Sequence, residues 1–423
     1  MKTKFQAFVG LTVLVLVVLG LSGCDHYVCS SGATFGSSSC TASGSGLGTG
    51  TGGNATAAFV FAIDTTGGAT GNVTNGTIDG FTLNTTAGTL AATANYVAPT
   101  IPANDTGIGM VVAQGKFLYA AFGSPNNEIF GWAISSSGIL TSVNNNTAYA
   151  IPSNPPADTS QLITGQQSLI TNPAGTLLFV ADPGDDEIIA YPIGASGTLG
   201  APVITQIPGF AASNLTTDGK GLYLYATNAF ANSNHSPGTT IEEFMIANTG
   251  ALTSIGSFAA QLWQVVGEPS GKFLIGSAGT QGGADQLSIF QIAQGVGTLS
   301  QLNPATTANP STSIVAQPNA NGNLLFSFSL NNGTLHPIEG FTISSTGTLT
   351  SAGATSNVAG NGFWGQFDQN GALLFPYTQV SLGNNAFAAE IGAFTVASNG
   401  ALTEIGSPLT LGTPGYFAVT DAP

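Results

Sequence analysis

One phrase recurs seven times along this chain of 423 residues, and it constrains the fold more than any other feature. The phrase is an Ile or Leu, an aromatic residue three positions later, an aliphatic residue two positions further, and then Gly-x-Leu. The copies begin at Ile78, Ile129, Ile188, Ile241, Leu287, Ile338 and Ile391. Strand-like content that repeats about every fifty residues is typical of propellers and similar arrays.

Each copy of the phrase predicts the second half of a four-stranded unit. Its aromatic and aliphatic residues, two positions apart, share one face of a strand, and its glycine allows a tight hairpin into the next strand. Upstream lies a nearly continuous apolar run such as Phe117–Phe122, typical of a strand covered on both faces, and before it one more short strand. The sequence therefore predicts an all-β, seven-bladed β-propeller with four antiparallel strands per blade.

The two ends of the repeat region are offset in a way that predicts how the ring closes. The first unit begins at its apolar run, Ala58–Ile63, and has no innermost strand before it. The chain ends with Gly415–Asp421, which matches an innermost strand but has no blade after it. We therefore expect the carboxyl-terminal strand to complete the first blade, which removes open sheet edges.

The amino end has the features of a targeting segment. Two lysines precede an apolar run, Phe8–Leu21, that is short for a membrane span. The following Leu21-Ser-Gly-Cys24 resembles the bacterial lipobox, in which the cysteine is lipidated and becomes the first mature residue. Residues 1–23 are thus predicted to be a lipoprotein signal peptide with Cys24 as the lipidated residue. An ordinary secretory signal followed by a chance cysteine is the alternative.

A Ser/Gly-rich segment, residues 24–56, follows and is predicted to be a flexible tether to a propeller at residues 57–423. It contains Cys29 and Cys40, which in an exported protein either form a small disulfide loop or remain free thiols. From these features we expect the protein to lie in the bacterial cell envelope, outside the cytoplasm and anchored to a membrane by its lipid.

The charge balance excludes some partners. Charged residues make up 6% of the chain, the formal net charge is −15, and the sequence contains no arginine. Nucleic acids need a basic surface that displaces counterions, so we expect no nucleic-acid binding. Phosphorylated small molecules are poor candidates as well, because bidentate phosphate recognition usually depends on Arg.

The repeat resembles that of the lactonase-like propellers, the family of bacterial 6-phosphogluconolactonases and fungal muconate-lactonising enzymes. The similarity is carried by Gly115-Lys-Phe-Leu-Tyr-Ala-Ala121 together with the recurrent phrase, and it covers nearly all of residues 57–423. The resemblance implies a Gly-Pro-Arg-His segment at the start of an innermost strand. The matching positions, Gly165–Ser168, Gln261–Gln264 and Asn361–Trp364, contain neither Arg nor His. The catalytic residues of the family therefore cannot be transferred to this chain, and fold similarity alone does not carry the activity.

Several uncharged residues are predicted to surround the mouth, meaning the end of the central channel where the innermost strands begin. Six lie at strand starts, and two histidines are expected in loops between second and third strands. These candidate ligand-binding residues are Gln166, Gln167, Trp263, Gln264, Trp364, Gln366, His235 and His336. Aromatic rings and amides suit a neutral ligand such as a sugar. Packing of the tryptophans between blades, and solvated loop histidines, are the alternatives.

An acidic segment in another such loop is a candidate cation site. Its four carboxylates are Asp182, Asp185, Asp186 and Glu187, and hard oxygen ligands of this kind suit Ca²⁺. The spacing lacks the alternating acids of a known calcium loop, so an ordinary polar turn is the alternative. No other cofactor is expected.

These observations predict a monomeric binding module that engages a neutral small molecule or a protein partner. The residues leave open whether any catalysis remains. The competing hypothesis is a diverged lactone hydrolase acting on a non-phosphorylated substrate, in which Glu268, Asp368 or one histidine activates water.

Overall fold

The computed structural model describes residues 27–28, 41–42, 56–64, 77–101, 107–123, 126–152, 167–228, 238–278, 286–306, 313–318, 322–328, 335–359, 361–383, 386–411 and 416–422. The chain divides into two compact units, Met1–Gly53 and Asn54–Pro423. In the first unit, strands β1 (Tyr27–Val28) and β2 (Thr41–Ala42) pair antiparallel. Cys24, Cys29 and Cys40, with the lipidation and disulfide predicted for them, lie outside the described residues. No helix in the described part is long and apolar enough to cross a membrane, and Phe8–Leu21 lies outside that part as well.

The second unit contains seven antiparallel sheets, one for each predicted blade. Blade 1 includes β3 (Thr56–Asp64), β4 (Thr77–Asn84) and β5 (Thr89–Ala92). Blade 2 comprises β6 (Gly107–Ala113), β7 (Phe117–Phe122), β8 (Glu128–Ile134), β9 (Leu140–Ser142) and β10 (Tyr149–Ala150). Blade 3 comprises β11 (Leu169–Thr171), β12 (Leu177–Asp182), β13 (Glu187–Pro192) and β14 (Val203–Gln206). Blade 4 comprises β15 (Asn214–Thr217), β16 (Tyr223–Thr227), β17 (Gly238–Ile246) and β18 (Leu252–Leu262).

The remaining three blades follow the same order. Blade 5 comprises β19 (Gln264–Gly267), β20 (Phe273–Ser277), β21 (Gln286–Ile292), β22 (Leu299–Gln301) and β23 (Ala305–Thr306). Blade 6 comprises β24 (Ser313–Ala316), β25 (Leu324–Phe328), β26 (Leu335–Ile343) and β27 (Leu349–Ala359). Blade 7 comprises β28 (Asn361–Phe367), β29 (Leu373–Gly383), β30 (Ala386–Ile391), β31 (Phe394–Val396), β32 (Leu402–Glu404) and β33 (Leu409–Leu411).

The last strand, β34 (Phe417–Asp421), belongs to the first blade. It pairs antiparallel with β3, with Phe417 opposite Ala62 and Asp421 opposite Ala58. The sheet order of blade 1 is therefore β34-β3-β4-β5. This pairing confirms the predicted seven-bladed propeller and its closure by the carboxyl-terminal strand.

The core lies between the blades, and the second strand of each blade is its most buried element. In β7 and β12 every residue is buried, because each sheet packs against a neighbour on both faces. These strands supply many of the fully buried aromatic side chains, including Tyr119, Phe179 and Phe326. The continuous apolar runs in the sequence are explained by this two-sided packing.

Blade 7 departs from the predicted four-strand pattern. Its third strand is divided into β30 and β31, and the break lies at Gly392 and Ala393. Opposite the break is Pro376 of β29, whose carbonyl accepts the N–H of Gly392 at 3.0 Å. Proline has no N–H to return, so the ladder cannot continue through this position.

Candidate functional site

The innermost strands form the central ring of the propeller. Contacts between them run in order through β34, β6, β11, β15, β19, β24 and β28, and then return to β34. Among the described candidates, Gln167 and Trp263 precede innermost strands and Gln264 begins one. The strand-start position predicted for Trp364 and Gln366 is wrong, because Trp364 lies in the middle of β28 and Gln366 is its next-to-last residue. The side chains of such residues either face the channel or contact the neighbouring blade. The structure distinguishes the two arrangements residue by residue.

Two of the predicted glutamines connect neighbouring blades. Gln264 Oε1 accepts the N–H of Ile314, in the innermost strand of the next blade, at 2.7 Å. Gln366 Nε2 donates to the carbonyl of Phe417 at 3.0 Å, which links blade 7 to the closing strand. A neutral hydrogen bond of this kind contributes about 1 kcal/mol to stability. Gln264 and Gln366 therefore have a structural partner already, and their side chains are part of the ring.

The two predicted tryptophans differ in their surroundings. The Trp364 ring stacks on Phe417 with 4.4 Å between ring centroids, and on Tyr377 with 5.1 Å. Trp364 thus packs between blades 7 and 1, the alternative that the sequence left open. Trp263 is half-buried and precedes β19, and its carbonyl accepts the Asn214 side-chain amide at 3.1 Å, which joins blade 4 to blade 5.

The remaining mouth candidates are described only in part. Gln167 precedes β11, and its Oε1 is buried without a hydrogen-bond partner among the described residues. Gln166 and His235 lie outside the described residues. The loop position predicted for His336 is wrong: its backbone belongs to β26, opposite Val358. The ladder reaches this far because β27 is eleven residues long and pairs with β26 as far as Leu335.

Glu268 and Asp368, considered above as residues that activate water, lie at the opposite end of the innermost strands from the mouth. Each directly follows its strand, β19 or β28. Glu268 Oε1 accepts the N–H of Ser270 at 3.0 Å, and Asp368 Oδ1 accepts the N–H of Leu373 at 2.9 Å. These carboxylates cap the turn between the first and second strands. Their position assigns them to the scaffold at that end.

Asp368 also contacts Asp421 of the closing strand. Burial raises the pKa of the Asp368 carboxyl to about 7; the Leu373 N–H opposes this rise, and the charge of Asp421 adds to it. Burial also raises the pKa of Asp421 above its ordinary value, while hydrogen bonds from Asp368, Gln369 and Asn370 lower it. Two acids that approach this closely favour sharing a proton over both being ionised.

The acidic segment forms the hairpin between β12 and β13, and three of its four carboxylates gather there. The ligand oxygens of Asp182, Asp185 and Glu187 lie within 4.8 Å of one another. Asp186 is separate, because its Oδ2 accepts the N–H of Gly209 at 2.8 Å. Burial raises the pKa of Glu187 to about 7, the charges of Asp182 and Asp185 raise it further, and a hydrogen bond from Gln206 opposes the shift.

A cleft that the sequence analysis did not anticipate lies beside blades 1 and 2. It has a volume of about 500 Å³, and its lining consists of Ala98, Pro99, Thr100, Ile101, Phe130, Trp132 and Asn146. The Phe130 and Trp132 rings stack with their centroids 6.0 Å apart. The sequence carries one sign of this cleft. In each copy of the phrase we can compare the residue that stands two positions before the aromatic residue, and it is itself aromatic in one copy alone, where it is Phe130.

The overall fold resembles solved lactonase-like propellers. A protein of Bacteroides uniformis provisionally assigned as a 6-phosphogluconolactonase is 16% identical, with 86% of this chain and 99% of that chain covered and a TM-score of 0.60. A similarly assigned protein of Bacteroides fragilis is 18% identical, with 86% and 98% covered and a TM-score of 0.57. A periplasmic gluconolactonase of Pseudomonas aeruginosa is 14% identical, with 87% and 100% covered and a TM-score of 0.57.

No protein-family model and no curated protein matches the sequence. At these identities the structural similarity establishes a shared fold, a lactonase-like seven-bladed propeller.

Proposed function

We propose that this chain is an exported, lipid-anchored propeller of the bacterial cell envelope that binds a neutral small molecule. The proposed export and anchor are supported by the apolar run Phe8–Leu21 and by the lipobox-like residues that end at Cys24. Binding of a neutral ligand is supported by the cleft at Phe130, which is the observation that carries the proposal.

The chemistry of the cleft suits an uncharged ligand with both apolar and polar parts. None of its seven lining residues carries a charge. Phe130 is half-buried and stacks on the buried Trp132, so the ring of Phe130 is held in place while part of its surface stays accessible. Asn146 and Thr100 are exposed at the cleft and provide hydrogen-bonding groups. Concave sites with aromatic walls and a few polar groups are the usual form of small-molecule sites.

The proposal is tested by melting the full chain, purified in a non-ionic detergent, with a panel of neutral sugars and lactones. One ligand class should raise the melting temperature by about 2–4 °C at saturating concentration. Phe130→Ala should abolish that shift. The matched control is Phe258→Ala, which removes another half-buried ring from a strand of blade 4 and should leave the shift intact. No shift with any neutral ligand, or an equal shift in Phe130→Ala, would contradict the proposal.

A lactone hydrolase acting on a non-phosphorylated substrate is the second candidate. It is supported by the fold shared with a periplasmic gluconolactonase, while the absence of arginine disfavours a phosphorylated substrate. Hydrolysis of gluconolactone and of 6-phosphogluconolactone by the full chain should be compared with the uncatalysed rates. Enzymatic turnover of gluconolactone alone would favour this candidate over a binding module. If neither lactone is hydrolysed faster than the uncatalysed rate, the binding module is favoured.

A further inference from the structure

The hairpin of blade 3, Asp182–Glu187, holds an arrangement of acids that the neutral-ligand proposal does not use. Asp182 is the last residue of β12 and Glu187 the first of β13, and the two are direct partners in the ladder. Partners in an antiparallel pair place their side chains on the same face, about 5 Å apart, where two like charges repel. The Asp185 carboxylate completes the group within 4.8 Å.

One oxygen in this group lacks a hydrogen-bond partner among the described residues. Glu187 is 1% exposed, and its Oε2 accepts a hydrogen bond from the Gln206 amide. Glu187 Oε1 is buried and accepts no hydrogen bond among the described residues. An ionised carboxylate oxygen in this position is costly unless a donor or a cation is present. A buried, unsatisfied oxygen beside two further carboxylates is an observation that points to a bound cation.

We propose that Asp182, Asp185 and Glu187 bind a Ca²⁺ ion. All three ligands are hard oxygens with no nitrogen or sulfur ligand among them, which disfavours zinc. Three carboxylates from one hairpin suit the larger, more tolerant coordination sphere of Ca²⁺ better than that of Mg²⁺, which usually takes one or two carboxylates and keeps its waters. The ion would neutralise the repulsion across the hairpin and provide the partner that Glu187 Oε1 lacks.

Because of where the hairpin lies, a bound ion would stabilise both the turn and the outer edge of blade 3. Asp182 Oδ1 accepts the N–H groups of Gly184 and Asp185, so the turn is already shaped around one of the ligands. Glu187 is paired with Gln206 of the outer strand β14, so the ion would also hold the outer edge of blade 3. Binding should therefore stabilise the native state rather than reorganise it.

The test is calorimetric titration of the EDTA-treated full chain with CaCl₂, together with thermal melts in CaCl₂ and in MgCl₂ at matched ionic strength. Saturable binding of one Ca²⁺ per chain and a rise in melting temperature of about 3 °C are expected. Glu187→Gln should lose the response to Ca²⁺ and should melt higher than the unchanged protein without Ca²⁺, because it removes one of the repelling charges. If Glu187→Gln fails to fold, Asp185→Asn, at a half-buried position of the turn, replaces it.

The matched control is Asp186→Asn, which removes one charge from the same hairpin but not from the group of three. It should bind Ca²⁺ as the unchanged protein does. The proposal is overturned if no saturable binding occurs, if MgCl₂ produces the same shift, or if Glu187→Gln and Asp185→Asn respond to Ca²⁺ as strongly as Asp186→Asn.

Discussion

The joint that closes the ring is built differently from the joints between consecutive blades. At consecutive joints the phrase glycine of one blade lies close to a strand of the blade before it, which at Gly138 and Gly197 is the second strand. A Cβ atom added at Gly138 would lie 2.6 Å from Phe59, and one added at Gly197 would lie 2.3 Å from Phe117. At the closing joint the equivalent residue is Gly88, where the nearest atom to such a Cβ is 3.8 Å away. The close approach at this joint lies instead at Gly406 of blade 7, where an added Cβ atom would clash with the carbonyl oxygen of Gly88.

The closing joint also contains a set of aromatic and acidic side-chain contacts. Trp364, Tyr377 and Phe417 form a stack of three rings, and Asp368 contacts Asp421. Phe417 is fully buried. Consecutive blades are joined by the chain itself as well as by contacts such as the hydrogen bond from Ile314 to Gln264. The closing strand comes from the far end of the chain, and its attachment has to be made by noncovalent contacts alone.

The largest effect is expected at the closing stack. Phe417→Ala removes the fully buried ring that stacks on Trp364, the middle ring of the three, and should lower the free energy of unfolding by about 3–5 kcal/mol. Urea unfolding of the full chain, followed by tryptophan fluorescence, measures the loss. The control is Phe258→Ala, which removes a half-buried ring in edge-to-face contact with Phe290 and should cost less than half as much. Equal losses would mean that the stack has no special part in closure.

A smaller effect should separate the two kinds of joint directly. Gly197→Ala combines a positive φ of 81° with a clash against Phe117, and should cost about 3 kcal/mol. Gly88→Ala has a positive φ of 62° without a clash and should cost about 1–2 kcal/mol, because only the backbone is strained. Both variants are measured by urea unfolding. A Gly88→Ala variant as unstable as Gly197→Ala would show that close approach does not distinguish the joints.

The smallest effect concerns pH at the closing joint. The Asp368 pKa is raised from 3.8 to about 7, so the native state holds more protons than the unfolded chain between these values. The contribution of the Asp368 carboxyl to the free energy of unfolding is therefore present at low pH and is lost as the pH rises from about 4 to about 7. Asp421→Asn removes the opposing charge and should raise the stability at pH 8 by about 1–2 kcal/mol.

The same variant should flatten the dependence of stability on pH, measured by urea unfolding at steps between pH 4 and 8. The control is Asp218→Asn, a capping residue at the same turn in blade 4, whose Oδ1 accepts the N–H groups of Leu222 and Tyr223. It should give no gain in stability at pH 8. A gain in Asp218→Asn as large as that in Asp421→Asn would attribute the effect to general charge reduction.

The repeat made much of the fold predictable. The phrase glycines were expected in tight hairpins, and Gly138 and Gly197 adopt the positive φ that this requires. The offset between Ala58–Ile63 and Gly415–Asp421 predicted the closing strand, because a missing strand and a surplus strand of one type can only complete each other. The division of β30 from β31 was not predicted, since it depends on which residue Pro376 faces.

The candidate site was less predictable. Gln264, Gln366 and Trp364 have the residue types of a ligand site, yet the neighbouring blade provides their partners. Whether a residue of an innermost strand faces the channel or the next blade depends on the angle between sheets, and a period of about fifty residues does not contain that information. The cleft at Phe130 could not be predicted from the sequence because its walls come from three separate parts of the chain, Ala98–Ile101, the strand β8 and the turn at Asn146.

The sequence by itself determined the class of fold, the number of blades, the closure, and the absence of any arginine for an anion site. These properties follow from local alternation, turn glycines and composition, which can be read along the chain. Only the tertiary structure decided which polar groups hold blades together, which acids pair, and where aromatic rings border a cleft. Those outcomes depend on contacts between segments distant in the chain, and burial at those contacts sets the partners and the pKa values.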